Sequence, residues 1–501
     1  MLVSAHRLLT SLRSELSEFI GEKSAEASHG QSVGAALTLL EVRERGGVAF
    51  ARTRLEALGR LLASVVTMGS SVSGWPREFE QLRAATINAQ TGTGLDDMES
   101  TCKRLLSETE SLLARVVDSP SIPATLRSTL AVTLGVWEVA DRQSMTATRG
   151  DGTAASDTSI TANKIERYLR NRFNESTLKV TTFQPLPGGF GKQTILLEVA
   201  GEAISGSLVL RRDPEDRIVE NDCHKVRREF PVIRAAFERG FPAPEALWLD
   251  TEHDLVPGGD FIVMRRAPGK TGGSVFGSAT GPGDDLTRVL ADGMARLHTL
   301  PPCLELGNLT DSIRRDGWNL PLRESVHGYI REWYEIYLSN AHNPSPTLIS
   351  IFGWLLANVP NSPGRPVLLH GDIGFHNMLI DEGRLSVLVD WEFAHLGDPA
   401  EDLGYVRNTS PGIPWETFMS YYRAAGGPEI DPARLHFFQV WGQARNAAAS
   451  NLAMGRFEIG AIPDLKLAYT GHFHFPHFIQ AACDLIEAGP DGRSTALRQE
   501  R

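Results

Sequence analysis

The stretch PVLLHGDIGFHNMLIDEGRLSVLVDWEFAHLGDPAEDLGY, Pro366 to Tyr405, decides how this chain is read. Its apolar run Val367 to Leu369 has the length and flanks of a buried strand, and it ends directly on His370, Gly371 and Asp372. A carboxylate is therefore expected at a strand end. Beyond it come Asn377, a strand Met378 to Ile380, a turn through Asp381, Glu382 and Gly383, and a strand Leu385 to Val389 that delivers Asp390. Such a hairpin brings Asn377 and Asp390 close together. One amide oxygen and one carboxylate suit Mg²⁺, which takes few protein ligands and completes its shell with phosphate oxygens and water. Asp372, at the head of the loop, is placed to receive the proton of a hydroxyl. The set suits phosphoryl transfer, where the protein positions metal, phosphate and acceptor and performs little covalent chemistry itself.

HGDxxxxN followed by DWE resembles the catalytic loop of the aminoglycoside phosphotransferase and choline kinase family. The resemblance implies that Asp372 is the catalytic residue and that Asn377 and Asp390 bind metal. It also implies that Asp398 and Asp402 of GDPAEDL order the loop, and His370 reads the same way. The likeness covers about 160–490. Within it, PGGFGKQTILLEV (Pro187 to Val199) stands where the family has a glycine-rich hairpin over the phosphates. Gly188, Gly189 and Gly191 there let backbone N–H groups approach an anion closely. The family's basic strand residue is Arg211 in SLVLRR, paired with Glu229 on a helix, and Lys192 is a second cation. Arginine departs from the lysine of many relatives, and a planar fork does not bind phosphate as a point charge does. The branch whose domains accompany acyl-CoA dehydrogenases carries arginine at that position, and VLRRDP, FIVMRRAPG and WLLANVP resemble it most. FIVMRRAPG (Phe261 to Gly269) is then the hinge between lobes, with Met264 lining the adenine pocket and the backbone of Arg265 and Ala267 offering hydrogen bonds.

What the likeness implies is an α+β, protein-kinase-like two-lobed fold, with ATP and Mg²⁺ as cofactors and a hydroxyl on a small molecule as phosphate acceptor. A hydroxyacyl thioester or related metabolite is the favoured acceptor. An antibiotic phosphotransferase of aminoglycoside or macrolide type is an alternative, and so is a catalytically silent nucleotide-binding regulator. A protein kinase ranks lower, because HGD and DWE stand where protein kinases have HRD and DFG.

Outward from the motif, three- and four-residue apolar steps dominate residues 1–142, as in Leu55, Leu58, Leu61 and Leu62, then Leu105, Leu112 and Val116, then Leu130, Leu134 and Trp137. That pattern predicts an all-α N-terminal domain, read as a module for protein contacts. Residues 143–160 have a linker's Thr, Ser, Ala and Gly composition. The phosphotransferase-like domain is expected over 161–490, its N-lobe 161–267 and its C-lobe 268–490, with a tail at 491–501. Four strands, LKVTTFQPL, TILLEVAG, GSLVLRR and FIVMRRAPG, and two helices, one carrying Ile165, Leu169 and Phe173 and one from His224 to Gly240, are expected in the N-lobe. Near the C-terminus, GHFHFPHF places His472, His474 and His477 among phenylalanines, which reads as packing and not as a metal site.

The chain has 501 residues, enough for two or three domains, and a formal net charge of −11, which offers no overall attraction to nucleic acid or anionic membrane. Cys102, Cys223, Cys303 and Cys483 lie far apart and read as reduced core residues. Leu8, Leu12, Leu16 and Phe19 recur at helical spacing among charged residues, unlike a signal peptide, and no run is long enough to span a bilayer. A cytoplasmic protein is the expectation.

Overall fold

Alternating β-branched residues after Leu178 build a five-stranded antiparallel sheet from β1 (Lys179–Pro185), β2 (Gln193–Ala200), β3 (Gly206–Arg212), β4 (Ala246–Asp250) and β5 (Phe261–Arg265), in the order β1-β2-β3-β5-β4. One face sends Ile195, Leu197, Val199, Leu208, Leu210, Phe261 and Val263 into a core shared with Ile165, Tyr168 and Leu169 of helix Ala162–Phe173. The other face, through Ile262 and Met264, joins a core containing Val226, Val232 and Ile233 of helix Val226–Glu238 and Trp391 of the DWE motif. The two-residue period of a strand accounts for the split, since neighbours point to opposite sides. Strand β4 has no counterpart in the sequence reading. It is five residues long, follows Pro242 and Pro244, and carries a register shift between Ala246 and Trp248, so no alternation announces it.

This computed structural model describes residues 27–70, 72, 74–92, 94–143, 160–186, 192–214, 218, 224–252, 259–273, 282–301, 320–462 and 464–490. The N-terminal segment with Leu8, Leu12, Leu16 and Phe19, linker residues 144–159, the turn with Gly188, Gly189 and Gly191, Cys223, Cys303 and the tail lie outside them.

Two smaller sheets carry the motif. β7 (Val367–Leu369) pairs antiparallel with β10 (His395–Gly397), and β6 (Lys270–Thr271) joins the hairpin of β8 (Met378–Asp381) and β9 (Arg384–Leu388) in the order β6-β8-β9. Glu382 (φ 48) and Gly383 (φ 75) are both left-handed, the geometry of a tight two-residue hairpin loop closed by the pair Asp381 and Arg384. At Gly269 (φ +115) a Cβ would lie 2.7 Å from the Ile380 carbonyl oxygen, so a side chain there is barred.

By contact density the described residues divide into two compact units, one of 160–326 with 360–439 and another of 27–143 with 327–359 and 440–490. All three sheets belong to the first. The N-terminal helices, expected as a domain of their own, thus share a unit with later segments. Helix Pro346–Ala357 explains this locally, for Leu348, Ile349, Ile351, Phe352 and Leu355 bury nearly its whole circumference. It packs on helices Leu95–Val117 and Ala124–Gln143, and helix Phe475–Ala488 packs on the latter. The fit is close: a Cβ at Gly353 would lie 2.4 Å from Val117 Cβ, and one at Gly135 would lie 2.2 Å from Cys483 Sγ. Cys102 and Cys483 are buried and free. Around the C-terminal histidines, Tyr469 stacks on Phe473 at 4.5 Å and meets His474 edge-on, while His472 is buried. Among the described residues no helix is long and apolar enough to cross a membrane.

Polar groups are also buried in this helical unit. Arg54 forks onto Asp141 at 2.6 and 2.7 Å, and Glu138 accepts from Arg142 at 2.9 Å and from Ser345 Oγ at 2.8 Å. Glu110 accepts from Tyr337 Oη at 2.6 Å and from the Ser345 N–H at 2.9 Å. Burial pushes the Glu110 carboxyl up to about 7 against the pull of those two donors. A carboxyl whose folded pKa is raised binds more protons folded than unfolded, so its contribution to stability falls as pH rises from about 4.5 to about 7. Thermal melts should therefore show Glu110→Gln losing less stability than the parent across that interval; parallel pH profiles for the two proteins would contradict the assignment.

Candidate active site

The loop after β7 is held by one buried carboxylate. Asp402, in helix Ala400–Thr409, accepts from the His370 N–H at 3.0 Å, the Gly371 N–H at 2.8 Å and His298 Nε2 at 3.1 Å. Burial pushes its pKa up, but His298 and the loop N–H outweigh that and hold it below the usual carboxylate range. Gly371 takes φ +78, and a Cβ on it would lie 2.4 Å from the Phe393 carbonyl oxygen, so the second letter of HGD is dictated by backbone space. His370 is fully buried, with Nε2 donating to the Val389 carbonyl at 3.0 Å and Nδ1 accepting from the Asp372 N–H at 3.3 Å. Those partners define a neutral ring, and burial keeps its pKa low. His370 is thus a strut that ties the loop to the end of the hairpin.

Asn377 closes the loop. Its Nδ2 donates to the Asp372 carbonyl at 2.9 Å and to Asp372 Oδ2 at 3.0 Å, while its own carbonyl accepts from the Val389 N–H at 2.9 Å. With Nδ2 spent, the amide oxygen is the atom Asn377 offers a hard cation. One residue further than Val389, Asp390 sits at φ 69, ψ 64, a left-handed conformation that costs a non-glycine residue roughly 1–3 kcal/mol. The turn follows β9, which ends at Leu388. Arg211 Nη2 donates to Asp390 Oδ1.

Arg211, partly buried, sits among acids. Its Nε lies 3.1 Å from Glu229 Oε1, and its Nη2 lies 3.8 Å from Glu392 Oε2. Burial alone would lower the guanidinium pKa, but Asp390, Glu229 and Glu392 outweigh it and raise it. Glu229 also accepts from the Trp391 N–H at 3.2 Å, so the helix of the N-lobe is tied to the DWE turn. Glu392 is pushed up to about 8, first by burial and then by the neighbouring Asp390.

The structure thus gathers Asp372, Asn377, Asp390, Arg211 and Glu229 into one network. Lys192 touches its edge, with Nζ 3.8 Å from Glu392 Oε2 but 2.8 Å from the buried Asp213 Oδ1. Asp213 takes up much of that charge, so Lys192 is an anchor of β2 as much as a cation of the site. Met264 is buried in the core with Trp391. The Arg265 N–H already donates to the Glu245 carbonyl at 2.9 Å, which removes one of the two hinge residues as an N–H donor; Ala267 follows it outside the strand. Asp398 stands apart from the network. It forms a fork with Arg434 at 2.6 and 3.2 Å and accepts from the Ala400 N–H at 2.9 Å, starting the helix that carries Asp402. Sequence reading missed His298, Asp213 and Arg434, all distant in the chain from the motif they support. It also gave no role to His376, whose Nε2 is 3.5 Å from Asp372 Oδ1.

The sequence profile of the phosphotransferase enzyme family (APH) matches residues 182–438, just over half of the chain. The chain belongs to that family. The chicken protein named acyl-CoA dehydrogenase family member 11 is 25% identical over 323 residues, 59% of this chain and 40% of that protein. Its human counterpart is 26% identical over 253 residues, 48% of this chain and 30% of that protein. The chain therefore spans less than half the length of these curated relatives. Among solved structures, macrolide 2′-phosphotransferase MphH from Brachybacterium faecium superposes at a TM-score of 0.40 with 18% identity, covering 65% of this chain and 97% of that one.

As an APH-family loop, the HGD turn depends on Asp402 for its shape. Asp402→Ala strands two backbone N–H groups and His298 in a buried place, each lost partner costing roughly 1–3 kcal/mol. Stability should fall accordingly, by at least about 3 kcal/mol for the three groups together, and the denaturation midpoint with it; an unchanged midpoint would remove Asp402 from this role.

Proposed function

We propose that the chain is a small-molecule kinase that moves the γ-phosphoryl group of ATP, with Mg²⁺, to a hydroxyl of a small molecule. The observation that carries the proposal is the double engagement of Asn377, whose amide holds Asp372 while its backbone receives the strand that presents Asp390. A proton acceptor and two hard oxygen donors thereby share one rigid loop and hairpin.

In this reading Asp372 accepts the proton as the acceptor oxygen bonds to the γ-phosphorus and the bond to the ADP oxygen breaks. Asn377 Oδ1 and Asp390 would hold Mg²⁺, and the donor set fits that ion, since Mg²⁺ uses one or two protein oxygens alongside phosphate and water. Bound there, the ion offsets charge on the phosphate oxygens. Arg211, held between Glu229 and Asp390, supplies the fork for the nucleotide phosphates and stays oriented by Glu229. The Arg265 carbonyl with the Ala267 N–H meets the purine edge. His370, Asp398 and Asp402 keep the loop in shape.

For the acceptor we propose a hydroxyl on an acyl thioester or related metabolite. Likeness to proteins named as acyl-CoA dehydrogenase family members supports that class. The test is ADP release from Mg–ATP over a panel of hydroxyacyl thioesters, amino alcohols, sugars and aminoglycosides. Asp372→Ala should lower turnover by at least the roughly 10²–10⁴-fold typical of a lost general base while the variant still folds. Near-normal turnover in a folded Asp372→Ala protein would defeat the proposal, and nucleotide binding without turnover over the whole panel would favour a silent regulator.

A further inference from the structure

Asp372 presents two carboxylate oxygens, and both meet groups from the single turn Phe375–Asn377. Asn377 Nδ2 donates to Oδ2 at 3.0 Å. On the other side, His376 Nε2 stands 3.5 Å from Oδ1, with the two side chains only 13% and 18% exposed. To reach back four residues the imidazole lies over the turn, and it passes Gly374, where a Cβ would come within 2.8 Å of His376 Cε1 and 2.9 Å of Nδ1. Gly374 itself is extended, at φ −179 and ψ 174, which any residue adopts. The glycine is therefore needed for the room it leaves the ring, and not for its backbone angles.

The torsion that turns an aspartate carboxylate is broad and roughly two-fold, so a single contact on one oxygen leaves the group free to rock. A second contact on the other oxygen sets its plane. We propose that His376 is a positioning residue for Asp372: Nε2–H holds Oδ1 while Asn377 holds Oδ2, so that the remaining lone pairs face the acceptor hydroxyl. The inference rests on the reading of Asp372 as the base. At 3.5 Å the contact is longer than a formed hydrogen bond, as contacts around a base are before the reactants close on it. The imidazole is also carried by the same short turn as Asn377, so any shift of the metal ligand moves the base's other support with it.

The experiment measures ADP release from Mg–ATP with water as the acceptor, alongside thermal melts, for the parent, His376→Ala, His376→Gln and Gly374→Ala. His376→Ala should lower kcat by about 10- to 100-fold, the scale of a misplaced catalytic group, and leave KM for ATP within about twofold. His376→Gln, which keeps an N–H donor at similar reach, should restore kcat to within about threefold of the parent. Gly374→Ala, by displacing the ring, should reproduce His376→Ala and add nothing to it. His376→Ala should likewise add nothing in an Asp372→Ala background. A parental kcat in folded His376→Ala overturns the inference alone, as does a loss that Gln fails to rescue or that adds fully to Asp372→Ala. A parent that binds nucleotide yet releases no ADP, with water or with any acceptor of the panel above, overturns both this inference and the kinase reading.

Discussion

Everything at this site turns on one residue that faces two ways. Asn377 donates its amide hydrogens to Asp372 and accepts the Val389 N–H on its backbone carbonyl, so the loop and the hairpin cannot move independently. Geometry made this way is cheap to maintain, because each bond is buried or half-buried and links groups already near in sequence. It also couples two chemistries. A cation drawn to the Asn377 oxygen and to Asp390 would find the base already oriented by the same residue, which is the kind of preorganisation that phosphoryl transfer rewards.

The electrostatic counterpart is Arg211. A partly buried cation is tolerable when carboxylates meet it, and here Glu229 and Asp390 do so. Arginine in place of lysine makes physical sense in that setting. A guanidinium can face Glu229 with Nε and Asp390 with Nη2 at once, where a single ammonium would serve one partner well and the others at a distance. Trp391, bonded through its N–H to Glu229 and through Nε1 to the Leu388 carbonyl, completes the tie between the N-lobe helix and the hairpin.

Much of this was legible in the sequence for a simple reason: the motif is local. A strand running into HGD, an asparagine five residues on, and a hairpin ending in DWE are short-range features, and periodicity finds them. Of the N-lobe sheet, β1, β2, β3 and β5 showed as apolar or β-branched runs, whereas β4, with its register shift, and the three-residue β10 of the smaller sheet are too short for their own residues to mark them. The supports of the site were illegible for the same cause. His298, Asp213 and Arg434 act across dozens of residues, and only the folded chain brings them to Asp402, Lys192 and Asp398. The helical segment before the linker misled in another way. Its apolar stripes were read correctly as helices, but a stripe does not say which later helix covers it, and helices Pro346–Ala357 and Phe475–Ala488 do.

The central claim is that Asn377 and Asp390 form a metal-dependent nucleotide site, and titrating ATP into the protein calorimetrically, with Mg²⁺ and then with a chelator, tests it most directly. The account predicts that ATP affinity falls at least about tenfold without Mg²⁺, a loss of about 1.4 kcal/mol, and that Asn377→Ala and Asp390→Asn each abolish most of that difference in protein that circular dichroism shows to be folded. An ATP affinity that is the same with and without Mg²⁺, or a full Mg²⁺ dependence surviving in both variants, would contradict it.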